Sequence, residues 1–450
     1  ELSADGISAT SYGYAAGAGG GVRVEADHLI GCGIVSANGG AGNTDRGAAG
    51  GGRVAVYYGE ASGFDLDGRV TALGGQFVTG PGSHGATGTV YLKRTGGEGV
   101  LHVDSKGAGT AEWTPLGLAG DAAVSLDRLV VRGTGVLVRP HHQLPVSANN
   151  VDILDGGNLS HRPCTETEEF HLDLSVSGTL AIDADSAVDV SRVGYLEGRT
   201  AGNTTEGAAQ IRAGGSHGGY GYPHGGATNE VYGNFRDPWF PGAGGGSHGT
   251  WSAGGGLARI QCGTLALEGA IRADGNPATS YGHCAGAGGG IRIGVSTLVG
   301  TGQVSADGGA ANTDRGAAGG GRIAVYYDDA SGFDLDRVRA VGGQFPTGPG
   351  TPGAPGTVYL KDNGGEGVLR VDTRGLQTGQ WTPLGLPSDN GLNLDRLVLA
   401  GAGLEVAPHH QLPILAANVD ILNGANLTHR YCTDSQVFRL DVTVAGTTTI

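Results

Sequence analysis

The sequence predicts an all-β protein, a parallel β-helix (solenoid) built from tandem 268-residue units, and three observations carry that expectation. Glycine supplies 91 of 450 residues, about a fifth, against a usual share of roughly 7%. Two long stretches of the chain repeat one another. Within each, short alternating strands recur behind glycine triplets.

The long repeat fixes the organisation. Residues 4–67 align with 273–336, and after one extra residue, Gly68, the alignment resumes from Arg69 with an offset of 268. NTDRGAAGGGR stands at 43–53 and at 312–322, SGFDLD at 62–67 and 331–336, and PHHQLP at 140–145 and 408–413. Ile450 then corresponds to Ile182, so 183–450 reads as one complete unit and 1–182 as the later two-thirds of the unit before it. The expectation is a continuous solenoid, cut from a longer array.

A shorter period lies inside the long one. Glycine triplets at 19–21, 50–52, 254–256, 288–290 and 319–321 each lead into an apolar-Arg-apolar or Arg-apolar strand, and a second short strand follows, ending in Ala-x-Gly. Adjacent triplets sit 31 to 34 residues apart within each group. The strands alternate with period two, so Ile291 and Ile293 point one way and Arg292 the other. A coil of that length cannot bury its apolar face alone, and stacking coils would make a continuous core. Smoother stretches such as 126–138, 151–159 and 172–190 read as coils without long loops. A β-sandwich array is the alternative fold, since it too uses short strands and glycine turns.

Composition excludes several classes. Val, Ile and Leu recur in regular runs, which disordered chains lack, and glycine does not fall at every third position as collagen requires. The net charge is −15 with 28 scattered Lys and Arg, so no basic patch is available for nucleic acid. No apolar run approaches the ~20 residues of a membrane helix, so no membrane insertion is expected.

The candidate sites are modest. The sequons at Asn158, Asn203 and Asn426 are candidate N-glycan acceptors, and Asn158 and Asn426 occupy the same repeat position. The five cysteines, Cys32, Cys164, Cys262, Cys284 and Cys432, are disulfide candidates for an oxidising compartment. Cys262 with Cys284 is the expected pair, and the repeat-matched Cys164 and Cys432 are expected to find a partner in each unit. Asp45 and Asp314, in GGAGNTD and GGAANTD, approximate a calcium-binding β-roll signature with the aspartate one place late. No other cofactor is expected. His141-His142, His409-His410, His217, His224 and His248 lack a converging ligand spacing. Asp65/Asp67 and Asp183/Asp185 each place two carboxylates on one strand face, the arrangement sugar-cleaving enzymes use. An enzyme of this kind would carry one such site per repeat.

The order GGG-x-R-I, G-x-I-x-A-x-G-G, GGGRIAVYY resembles the glycine-rich repeats of very large secreted proteins of microbial eukaryotes. These include shaft components of the flagellar hairs (mastigonemes) of heterokont protists and adhesin-like solenoids. That resemblance implies an extracellular glycoprotein at the cell surface or in an appendage. It implies partners that are copies of itself or other fibre proteins, and it transfers no catalytic residue. A carbohydrate-binding adhesin stalk is the alternative function, and a β-helical polysaccharide lyase or hydrolase a further one.

Overall fold

The computed structural model describes residues 1–11, 14–43, 46–77, 83–246, 252–279, 284–312, 315–345 and 351–450. Among these the protein is almost all β, with a single four-residue α-helix at Leu66–Arg69 and a 3-10 turn at Leu335–Arg337. Its sheets are large and mostly parallel. The chain divides into two compact units: Glu1–Ser160 with Leu174–Val188 and Cys262–Ala270, and His161–Asp173 with Asp189–Gln261 and Ile271–Ile450.

In the first unit one ladder runs through Gly21–His28, Arg53–Glu60, Thr89–Arg94, Gly99–Asp104, Val124–Arg132, Val146–Leu154 and Leu172–Ile182. Alternation sets its faces: Val54 and Val56 are buried while Arg53 is exposed. Val35 and Val70, from a short parallel ladder of two-residue strands, join Val54, Val56 and Phe64 in one core.

The second unit repeats this pairing residue for residue. Arg53 pairs Thr89 and Val54 pairs Val90 in the first unit; Arg322 pairs Thr357 and Ile323 pairs Val358 in the second. Val146 opposite Val124 becomes Ile414 opposite Leu392, and Val35 opposite Val70 becomes Val304 opposite Val338. A one-residue slip would turn each strand's apolar set outward, so the shared register follows from the shared apolar pattern.

One feature departs from the all-parallel expectation. Thr89–Arg94 and Gly99–Asp104 pair antiparallel, as do Thr357–Asp362 and Gly367–Asp372. Only four residues separate the strands, TGGE in the first copy and NGGE in the second, too few for a parallel crossover, so the chain must reverse. Gly96 supplies a left-handed conformation in the first of these turns (φ 72°). Strands after each hairpin pair parallel with one another again, running opposite to those before it.

Between strands the glycines form columns. A Cβ on Gly52 would lie 1.9 Å from the Gly20 carbonyl oxygen, and one on Gly88 would lie 2.0 Å from that of Gly52. In the second unit a Cβ on Gly289 would meet Gly256 O at 2.0 Å, on Gly321 Gly289 O at 2.1 Å, and on Gly356 Gly321 O at 1.9 Å. The column glycines also donate across the coil: Gly52 N–H to Ala37 O (2.7 Å), Gly88 to Ala72 O (2.7 Å), Gly321 to Ala306 O (2.8 Å) and Gly356 to Ala340 O (2.7 Å). Glycine is required at these positions by the approach of neighbouring backbone. Gly321→Ala should therefore destabilise the protein by about 1–3 kcal/mol, the usual cost of overpacking. Gly33→Ala, which meets nothing within 4 Å, should stay within about 0.5 kcal/mol. Urea unfolding midpoints of the two variants check this.

Candidate functional site

Two constructions in the second unit go beyond plain strand pairing. The first is a carboxylate ladder. At Asp5, Asn38, Asp274 and Asp307 a short strand is followed by Ala and then by this polar residue, whose side chain caps backbone about 33 residues further on. Asp5 Oδ1 accepts from Asn38 N–H (2.6 Å), and Asn38 Oδ1 from Leu73 N–H (2.8 Å). Asp274 Oδ1 accepts from Asp307 N–H (2.8 Å), and Asp307 Oδ1 from Val341 N–H (2.9 Å). Ser36 and Ser305 hydroxyls donate to the other oxygens of Asp5 and Asp274, each at 3.1 Å.

The two copies differ in charge along this ladder. Asn38 occupies the position of Asp307, so only the second unit stacks two carboxylates. Burial and then the neighbouring carboxylate hold Asp307 up at about 7, with the Arg339 guanidinium (Nε to Oδ2 2.9 Å) opposing them. Burial likewise raises Asp274, helped by Asp189. One carboxyl of the pair thus keeps its proton into the neutral range.

The second construction is a strap. Residues 232–240, YGNFRDPWF, lie across the outer face of the second unit's large ladder. Arg322, 3% exposed, donates from Nε to Tyr232 O (2.7 Å) and from Nη1 to Thr357 Oγ1 (3.1 Å). The Tyr326 hydroxyl donates to Arg236 O (2.6 Å), and Arg236 donates to the Asn393 carbonyl. Phe235 enters the core with Tyr359, Leu369, Leu392 and Leu394, its ring edge-on to Tyr359 at 5.5 Å. Asp237 is ion-paired to Arg259 (2.9 Å) and Arg292 (3.0 Å). Trp239 lies under the Arg259 guanidinium at 4.0 Å, a cation–π contact.

Upstream, residues 212–222 cover the neighbouring glycine-rich edge at 317–320. Gly319 N–H donates to Gly215 O (2.9 Å), Gly218 to Gly320 O (2.9 Å), and Tyr222 to Ala317 O (2.8 Å). His217 is sealed here. Its Nδ1 lies 2.9 Å from Gly288 O, its ring stacks on Tyr232 at 4.6 Å, and burial followed by the nearby Arg322 charge pushes it down to about 3. It is a neutral structural histidine at any ordinary pH.

The residues singled out from sequence do not converge. Asn426 is exposed and Asn158 half-buried, each in a two-residue strand at the same place in its copy. Asn203 sits in a left-handed turn (φ 54°), its Nδ2 donating to Thr165 O at 2.9 Å. Among the described residues no disulfide joins the five cysteines. Cys262 and Cys284 are buried thiols, and burial lifts Cys262 to about 12. Cys164 Sγ instead closes a small loop, 3.5 Å from Phe170 N and 3.8 Å from Phe170 O. Cys432 does the same with Phe438 at 3.4 and 3.6 Å. The repeat-matched cysteine thus makes the same backbone contact six residues on in each copy. Cys32 is exposed, and its carbonyl accepts from Arg69 at 2.6 Å.

Asp45 and Asp314 lie outside the described residues, as does His248. Among the described residues no group of three or more His, Cys, Asp or Glu is placed to hold a metal ion. The paired carboxylates are occupied locally. Asp65 caps the short helix through Gly68 N–H (2.8 Å), and Asp67 pairs with Lys106. Asp183 accepts from Asp155 N–H (2.6 Å) and Asp185 N–H (3.2 Å). His409 and His410 pack edge-on at 5.7 Å, like His141 and His142 at 5.6 Å. Among the described residues no helix is long and apolar enough to cross a membrane. The chain matches no protein-family model, no curated protein and no solved structure.

The carboxylate ladder gives a pH dependence. An acid whose folded pKa is raised binds its proton more tightly folded than unfolded, so its contribution is full below the unfolded value of ~3.9 and is lost as pH rises through about 7. Asp307→Asn should flatten this loss, leaving the variant more stable than the parent at pH 8 and gaining little at pH 4. Thermal or urea unfolding of both proteins across that range checks it.

Proposed function

We propose that this chain is a section of a structural β-solenoid, in which coils of successive 268-residue repeats stack end to end into an extracellular filament or surface-appendage shaft. The observation that carries this reading is the identity of strand register in the two copies, including the antiparallel hairpin at the same point in each. A register reproduced at that level makes each repeat a module whose pairing surfaces can be used again.

The physical character of the coils supports a mechanical role. Inter-strand hydrogen bonds would run along the shaft axis, where tension acts. The glycine columns admit no side chain between coils, which leaves little room for slippage. Asp65 and Asp183 accept backbone N–H groups at turns and Asp67 is held by Lys106, a structural use of these carboxylates that supports this reading. Exposed Asn426 offers an accessible glycan acceptor, consistent with a secreted glycoprotein. Partners are then further copies of the same repeat.

Electron microscopy of the native material tests this. The proposal predicts a continuous polymer with an axial repeat on the order of 40 Å per 268-residue unit, at ~4.8 Å per strand. It also predicts no release of sugar from polysaccharide substrates. Discrete particles without periodic assembly, together with glycan cleavage, would replace it with the enzyme reading.

A further inference from the structure

Beneath the strap a pocket of about 100 Å³ lies between residues 233–236, the Arg322 side chain and the turn at 385–392. That is well above the ~10–15 Å³ a single water needs. Its charge is out of balance. Arg322 is 3% exposed and carries five N–H donors. Nε is used on Tyr232 O and Nη1 on Thr357 Oγ1, both neutral acceptors. Among the described residues Nη2 has no acceptor and no carboxylate is ion-paired to the guanidinium. Burial draws Arg322 down to about 10, which still leaves it a cation at neutral pH.

A cation held away from water with neutral partners alone is costly, because its hydration is lost and no opposite charge replaces it. Arg53, at the same register position opposite Thr89, is exposed beside an open groove of about 370 Å³, so water solvates it. Only the buried copy needs a counter-charge. The pocket wall offers further donors. Asn234 Oδ1 is taken by Arg236 N–H (2.8 Å), which leaves its Nδ2 as a donor. The N–H groups of Gly233, Gly385 and Gly391 also line the pocket and have no acceptor among the described residues. The acid in the wall is Asp389, whose Oδ2 accepts from Leu386 N–H at 2.8 Å.

We infer that this pocket binds a small oxyanion, a sulfate, phosphate or carboxylate group, against the Arg322 guanidinium, the Asn234 amide and backbone N–H groups. The forked guanidinium matches the oxygens of such a group better than it matches a single carbonyl. Bound there, the anion touches the strap, the ladder and the 385–392 turn at once and holds the three together. Asp389 opposes it and keeps the affinity modest.

Equilibrium dialysis of the full chain against radiolabelled sulfate, at constant ionic strength, tests this. One saturable site per chain is expected. Asp389→Asn removes the opposing charge yet keeps an oxygen for Leu386 N–H, and should tighten binding at least threefold. Arg322→Gln should weaken it at least tenfold, and Arg53→Gln should leave it unchanged. The gain expected of Asp389→Asn keeps the test decisive even if Arg322→Gln folds poorly. Displacement of the label by dextran sulfate would mark a polymer-borne ester as a source of the group, and failure to displace it would mark the free ion. Absence of saturable sulfate binding, or binding indifferent to both Asp389→Asn and Arg322→Gln, would overturn the inference. The measurement reads single chains, so its outcome is independent of whether repeats polymerise.

Discussion

Everything in this fold depends on how closely neighbouring backbones approach along the glycine columns. At about 2 Å between a built Cβ and the adjoining carbonyl oxygen, no side chain fits, and the composition of the chain follows from that distance. The reward is a donor for each acceptor: column glycines give their N–H groups to Ala37, Ala72, Ala306 and Ala340 across the coil. Buried backbone groups left unpaired would cost as much as lost hydrogen bonds. A core made this way contains little apolar volume, so the larger side chains gather elsewhere, around Val54 and Val56 in one unit and Leu397 and Leu399 in the other.

The two copies show how one template tolerates different finishing. Where the second unit has Asp307 beside Asp274, the first has Asn38 beside Asp5, and both keep the acceptor that caps the next backbone N–H of the ladder. The cap is thus set by geometry and the charge is free to vary, with pH sensitivity arising only where two carboxylates meet. The same holds on the outer face. Arg53 and Arg322 occupy one position, but only Arg322 is buried against a carbonyl it can donate to.

Much of this was legible in the sequence because it is local. Period-two alternation placed Ile291 and Ile293 inward, and both are fully buried. The triplets before Val22, Arg53, Leu257, Ile291 and Arg322 marked where these strands begin, but not the backbone approach that requires glycine there. The hairpin after Arg94 was not anticipated, although the four-residue TGGE link leaves no room for a crossover. The strap could not be read, because residues 232–240 show neither strand alternation nor a repeat partner in the chain, and their role lies in contacts made some ninety residues away, with Arg322 and Tyr326. The cysteine contacts could not be read for a related reason: spacing alone does not reveal that Cys164 and Cys432 close onto the backbone of Phe170 and Phe438.

The proposed stack of coils, with hydrogen bonds along one axis, would scatter in a characteristic way. X-ray diffraction from oriented fibres of the native material is the most direct measurement of that claim. The account predicts a strong reflection at ~4.8 Å along the fibre axis, the spacing of adjacent strands. A 4.8 Å reflection perpendicular to that axis, or none at all, would contradict it.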